Sequence, residues 1–161
     1  MENLVIRKVK QEDNTALAAM IRAVFDEHAA PHECTVYSDP ATDDLYGLSQ
    51  QKKAVLWVAE LNGEVLGCCG IFHTAGLEDG VAELAKFYLS EKIRGKGTGK
   101  QLMLQCFQSA KEMGYKKLYI ESLPQFAKAV SMYEKYGFKM IDKPLGNSGH
   151  TSCNIWMIKD I

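Results

Sequence analysis

The stretch FYLSEKIRGKGTGKQLM, residues 87–103, decides how this chain is read. An apolar β-type run ends at Leu89, a turn places Gly95, Gly97 and Gly99 among Arg94, Lys96 and Lys100, and an amphipathic helix is predicted from about residue 97 to 113. Between a strand and a helix, successive backbone N–H groups can point into one space at the positive end of the helix, which suits an anion. Glycines let the backbone approach phosphate oxygens closely, and the three cations can pair with them. Two common phosphate-binding patterns do not fit. A Walker A loop would need a hydroxyl where Gln101 stands and a glycine where Arg94 stands. A dinucleotide fingerprint would need a third glycine at Lys100 and an early βαβ unit.

Working outward, VAELAKFYLS (residues 81–90) is a predicted strand. It follows AVLWVAEL and EVLGCCGIFH (54–61 and 64–73), joined by Asn62 and Gly63 as a hairpin. Leu4, Ile6 and Val9 predict an opening strand. Residues 11–28 carry Leu17, Met20, Ile21, Val24 and Phe25 at helical spacing. Residues 31–49 are irregular, punctuated by Pro31, Pro40 and Gly47, with one short helix after Asp39; the stretch is placed to cover a site. Downstream, KKLYIESL (116–123) is a strand, Pro124 opens a helix that Gly137 closes, and FKMIDK (138–143) and CNIWMIKDI (153–161) are the last strands. The order implies an α+β fold of the α/β-type three-layer kind, with a mixed, mostly antiparallel sheet of about seven strands flanked by helices. One domain over residues 1–161 is expected, since 161 residues at 47% hydrophobic content suffice for a single core.

A formal net charge of -1 provides no field for nucleic acid or an anionic membrane, which leaves small molecules as the expected partners. Cys34, Cys68, Cys69, Cys106 and Cys153 show neither a C-x-x-C pair nor zinc spacing, so reduced thiols and no metal site are expected. No apolar run approaches the roughly 20 residues of a membrane span, and the beginning does not read as a leader. A soluble, cytoplasmic protein is expected.

The pattern R-x-x-G-x-G at Arg94, Gly97 and Gly99 resembles the pyrophosphate-binding motif of the GNAT superfamily of N-acetyltransferases. SMYEKYGF, residues 131–138, is similar to that family's segment at the end of the following helix. The resemblance implies a GNAT-like acyl-CoA N-acyltransferase fold with acetyl-CoA as acyl donor and CoA as product. It assigns the pyrophosphate to Arg94, Gly95, Lys96, Gly97, Thr98, Gly99 and Lys100. Pantetheine is assigned to main-chain groups of Phe87, Tyr88 and Leu89, where this strand parts from the strand at 116–123. The implied reaction is direct attack of a primary amine on the thioester through a tetrahedral intermediate.

Glu83 matches the family's catalytic base. Four residues before Phe87, it is expected on the same face by period two, with Val81, Leu84 and Ala85 supplying apolar surroundings that raise its pKa. Tyr133 matches the tyrosine near the thioester sulfur, as acid or thiolate stabiliser. A phenol near pKa 10 giving its proton to a thiolate near 8.5 is uphill by about 2 kcal/mol in water, which favours hydrogen bonding over full transfer. The family's asparagine near the start of the next helix is replaced by Ser122 and Gln125, with Ser122 expected as a helix cap. The loop 144–152, with His150, is a candidate lining for the acceptor pocket. The acceptor is a small-molecule or peptide amine, and the protein is a monomer or an edge-strand homodimer. The alternative is a non-catalytic acyl-CoA-binding regulatory module acting through a protein partner.

Overall fold

The computed structural model describes residues 2–161. Seven strands form one sheet: β1 (Leu4–Lys8), β2 (Val55–Leu61), β3 (Glu64–Phe72), β4 (Val81–Leu89), β5 (Lys117–Ser122), β6 (Lys139–Ile141) and β7 (Ile155–Asp160). They lie in the order β1-β2-β3-β4-β5-β7-β6, and every neighbouring pair is antiparallel except β4 and β5. Asn62 and Gly63 both take positive φ, 50° and 86°, which is what a two-residue hairpin turn needs between right-twisted strands. The mixed, mostly antiparallel sheet is thus the one expected from the sequence. The last two strands are shorter than their apolar runs, because Phe138 turns into the core ahead of β6 and the chain bends at Asp142 and Lys143 before Pro144.

Helices α1 (Asn14–Glu27), α2 (Leu45–Ser49), α3 (Thr98–Glu112) and α4 (Ala127–Lys135) cover the two faces. Leu102, Met103 and Cys106 of α3 and Val130 and Tyr133 of α4 pack with Cys69, Ala82 and Leu84 of the sheet. On the opposite face, Leu17, Ile21 and Phe25 of α1 and Leu45 of α2 pack with Leu56, Val58 and Cys68. Cys68 and Cys69 therefore sit in different cores, as successive strand residues must. Burial pushes the Cys68 thiol up to about 12, so it serves as an apolar packing group.

One irregularity in β4 shapes all that follows. Ala85 lies opposite Gly70 and Tyr88 opposite Cys68, so Lys86 and Phe87 together face the single residue Cys69. This is a β-bulge, with Lys86 at φ 59°. It shifts the alternation by one: Ala82 and Leu84 face α3, and so do Phe87 and Leu89, whereas Ala85 and Tyr88 face α1. Glu83 and Phe87 consequently lie on opposite faces. The expectation that they share one fails because an unbroken period of two was assumed across an inserted residue.

Gly70 sits beside this bulge. A Cβ there would lie 2.7 Å from the Val55 carbonyl oxygen and 2.6 Å from the Phe72 ring. Gly70→Ala is expected to cost about 1–3 kcal/mol by overpacking, measured as a lower urea midpoint at unchanged m-value.

Candidate active site

Parallel pairing of β4 with β5 runs from Val81 opposite Lys117 to Glu83 opposite Tyr119 and then stops. Beyond that point β4 stays with β3 and β5 stays with β7, so the two strands diverge. The gap opens into a cavity of about 670 Å³, walled by residues 83–89 of β4, Glu121, Ser122, Met132, Tyr133 and His150, with Phe25 and His28 of α1. Peptide groups on the β5 side of residues 84–89 have lost their sheet partners, and a buried strand edge of this kind needs a ligand or water to satisfy it.

At one end of the cavity the chain leaves β4 through a 3-10 turn, Glu91–Ile93, whose Ile93 is sunk in the core. Gly95 and Gly97 follow at φ 75° and 79°, and a Cβ on either would meet nothing within 4 Å. Gln101 is the first residue of α3 whose amide finds an internal acceptor, the carbonyl of Gly97 at 3.2 Å. Among the described residues the amides of 95–100 have no acceptor, so they form a cluster of free donors at the helix N-terminus. Thr98 Oγ1, in the same turn, is sealed from solvent and has no hydrogen-bond partner among the described residues.

The three cations of this loop differ in role. Arg94 donates from Nε and Nη2 to the Leu89 carbonyl at 3.1 and 2.8 Å, and its guanidinium forms a bidentate pair with Glu27 at the end of α1. It braces the loop against β4 and α1. Lys96 pairs with Glu2, whereas exposed Lys100 has no ion-pair partner among the described residues. Gly99 is buried, and a Cβ there would come within 3.2 Å of Leu89 Cδ1 and Phe87 Cζ. The absent side chain lets α3 start close against β4.

In the middle of the cavity Glu83 is 6% exposed, and Thr74 Oγ1 donates to its Oε1 at 2.5 Å. Burial is the main force on its carboxyl and Glu121 adds to it, while the Thr74 hydrogen bond and the charge of Lys86 oppose; the balance raises the pKa to about 7. Tyr133, on α4, packs its ring at a tilt against Phe87 and edge-to-face against Phe138, with centroids 5.9 and 5.8 Å away. Its hydroxyl has no hydrogen bond among the described residues. Burial raises its pKa well above the usual phenol value, so it remains a neutral donor. Tyr88 points the other way, against Phe25 and Phe126.

At the far end, Tyr119 Oη donates to Glu121 Oε2 at 2.7 Å and Ser148 Oγ donates to the other carboxylate oxygen. The Leu145 amide donates to Tyr119 Oη at 3.0 Å, which ties the 142–154 loop to β5. His150 Nε2 lies 2.7 Å from Asp39 Oδ2. Burial first, then the charge of Lys86, lowers the His150 pKa despite Asp39. Burial works to raise the Asp39 pKa, yet its hydrogen bonds from His150 and the Ala41 amide bring it below the ordinary value. A neutral imidazole beside an ionised carboxylate must carry its proton on Nε2. Cys153 also lines this end; burial, with Glu121 and Glu83 nearby, pushes its thiol up to about 12, so it is no thiolate nucleophile at neutral pH.

Of the residues singled out from sequence, Glu83, Phe87, Tyr88, Leu89, Arg94, Gly95 and Tyr133 all line this one cavity. Lys96, Gly97, Thr98, Gly99 and Lys100 continue the loop beyond its wall. Ser122 and Gln125 line it too, but Ser122 caps nothing: it is the buried last residue of β5, and the helical turn begins at Leu123 without a side-chain cap. Sequence reading passed over Glu27, Asp39, Thr74, Lys86 and Glu121. Lys86 and Glu121 each interrupt an apolar strand, which is a legible signal. Glu27 and Asp39 are separated widely along the chain from the groups they hold, and Thr74 reaches Glu83 from the turn before β4.

Comparison with known proteins places these features in context. Residues 21–138 match the Acetyltransferase (GNAT) family. An uncharacterised N-acetyltransferase of Escherichia coli, YjgM, is 39% identical over 159 residues, covering 98% of this chain and 95% of that one. Among solved structures, a GNAT-family acetyltransferase of Staphylococcus aureus Mu50 superposes with a TM-score of 0.85 at 17% identity, over 98% of this chain and 99% of that one. The PaiA N-acetyltransferase of Thermoplasma acidophilum, solved in complex with coenzyme A, superposes with a TM-score of 0.76 at 21% identity, over 99% of both chains. At those identities the two structures speak for the fold.

The raised carboxyl of Glu83 has a consequence for stability. Its folded pKa of about 7 exceeds its ordinary 4.5, so the folded state binds the extra proton and loses stability as pH rises between those values. Glu83→Gln removes that loss. The variant is expected to match wild type near pH 4.5 and to exceed it above pH 7 by at most about 3 kcal/mol, read from urea unfolding at the two pH values.

Proposed function

The chain belongs to the acetyltransferase (GNAT) family, and from that premise we propose that it transfers an acetyl group from acetyl-CoA to a primary amine. The observation that carries this reading is a buried carboxyl poised near pH 7 beside a strand gap that ends in a cluster of free amides. The residues fit the donor. The amides of 95–100 and the unsatisfied Thr98 hydroxyl suit a pyrophosphate, with Lys100 adding charge and Arg94 holding the loop in place. The unpaired edge at Phe87, Tyr88 and Leu89 suits the amides of pantetheine. When bound, acetyl-CoA supplies an activated acetyl thioester and a thiolate leaving group.

The protein's own residues handle protons and charge. An amine with a lysine-like pKa of about 10.4 is only a few parts in ten thousand neutral at pH 7. Glu83, about half ionised there, takes the amine proton directly or through one water. Tyr133 stays protonated and donates a hydrogen bond to the leaving sulfur, since its raised pKa makes full proton transfer still more uphill. We take residues 1–161 as one catalytic domain working in the cytoplasm on a soluble amine.

Thermal unfolding tests the donor assignment. Acetyl-CoA and CoA are expected to raise the midpoint where ATP and NAD do not, by the equivalent of about 2.7 kcal/mol at a hundredfold excess over Kd. Gly97→Val, which fills the space above the free amides, should abolish the shift; no shift with either CoA ligand in wild type would overturn the proposal. Steady-state kinetics test the residues. Glu83→Gln is expected to lower kcat by about 100-fold or more and to remove the acid-side limb of kcat/KM, which rises through pH 7 as Glu83 ionises. Tyr133→Phe should lower kcat by about 10-fold or more with little change in the KM for acetyl-CoA, the size of a lost hydrogen bond to a charged atom.

A further inference from the structure

Lys86 is 7% exposed, lines the cavity and stands on the bulge of β4 at φ 59°. Among the described residues its ammonium has neither a salt bridge nor a hydrogen bond. The stem is buried while the unpaired ammonium meets the open cavity, which leaves its charge available to an anion that enters there. The neighbouring carboxylates are engaged elsewhere. Asp39 accepts from His150 and the Ala41 amide, Glu83 accepts from Thr74, and Glu121 accepts from Tyr119 and Ser148. Lys86 is nonetheless close enough to Asp39, Glu83, His150 and Cys153 to bias the titration of each.

We propose that Lys86 receives an anionic group of the acceptor, so that the acceptor is a small amino acid carrying a carboxylate within a few bonds of its reactive amine. The inference rests on the acetyltransferase reading above. The missing anion is not the donor's pyrophosphate. The free amides begin at Gly95, beyond Leu89, and along an extended strand the three residues from Lys86 to Leu89 already span about 10 Å. Glu83 lies three residues before Lys86 on the same strand, with its carboxyl on the cavity, so an amine delivered to Glu83 has its own carboxylate within reach of Lys86. The Asp39–His150 pair and Glu121 leave the rest of this end without free positive charge. Bulge geometry holds the lysine in place: its carbonyl accepts from Cys68 Sγ at 3.0 Å.

The test compares matched acceptors. The L-amino acids and their C-terminal amides are assayed in parallel by release of CoA thiol, with wild type and with Lys86→Gln, whose folding and acetyl-CoA binding are checked by thermal shift. At least one amino acid is expected to exceed its amide in kcat/KM by about 100-fold in wild type, mostly through KM. Lys86→Gln should bring that ratio to within about threefold of one. If the amides turn over as well as the acids in wild type, the acceptor assignment to Lys86 is overturned and the acetyltransferase reading stands. If Lys86→Gln lowers kcat for acid and amide alike and keeps their ratio, Lys86 serves the reaction centre and the assignment is likewise overturned. If neither set turns over while acetyl-CoA still raises the midpoint, the amino-acid assignment is overturned and the acetyltransferase reading, which the thermal shift supports, stands with a different amine as acceptor.

Discussion

Hydrogen bonding between β4 and β5 lasts for three residue pairs, and its early end is the constraint on which the site depends. A parallel pair inside a sheet normally satisfies its peptide groups along its whole length. Here the extra residue at Lys86 sharpens the local twist of β4 while β5 stays in register with β7 for six residues. The strands cannot follow each other, and the space between them becomes a cavity edged by unpaired peptide groups. Aromatic packing keeps it open: Phe87 and Tyr133 hold one side, and Phe25, Tyr88 and Phe126 hold the other.

The same inserted residue sorts the side chains. Without it, Phe87 and Glu83 would project to one face, and either the carboxyl would enter the α3 core or the phenyl ring would fill the cavity. With it, Glu83 meets the cavity from one side while Phe87 and Leu89 seat the start of α3, where Gly99 permits contact. The loop of free amides and the buried carboxyl of Glu83 are therefore placed by one backbone feature, at opposite ends of half a strand.

Electrostatics divide the cavity. The loop end gathers amide dipoles and cations. The middle holds a carboxyl made weakly acidic by burial, and the far end holds two anions quenched by hydroxyls and an imidazole, with one unmatched ammonium among them. Each group is desolvated enough for its charge to matter, since interactions that water would screen persist in a partly closed pocket. Arg94 shows that not every cation of a basic loop is held for a ligand: Glu27 and the Leu89 carbonyl already occupy most of its donors.

By itself the sequence determined the order of strands and helices, the hairpin at Asn62 and Gly63, and the glycine turn before α3. Those features rest on local preferences: alternation, helical spacing, and the few residues that accept positive φ. Resemblance to the family's motifs singled out Glu83 and Tyr133 as candidates, because residue type and motif spacing are local as well. Only the tertiary structure decided where the alternation breaks, which face each β4 side chain takes, and whether Ser122 caps a helix. It alone brought Asp39 to His150 across 111 residues and Glu27 to Arg94 across 67. The physical reason is that a bulge, a strand divergence and a long-range ion pair are set by competition among sheet partners and by desolvation, and neither is a property of neighbouring residues.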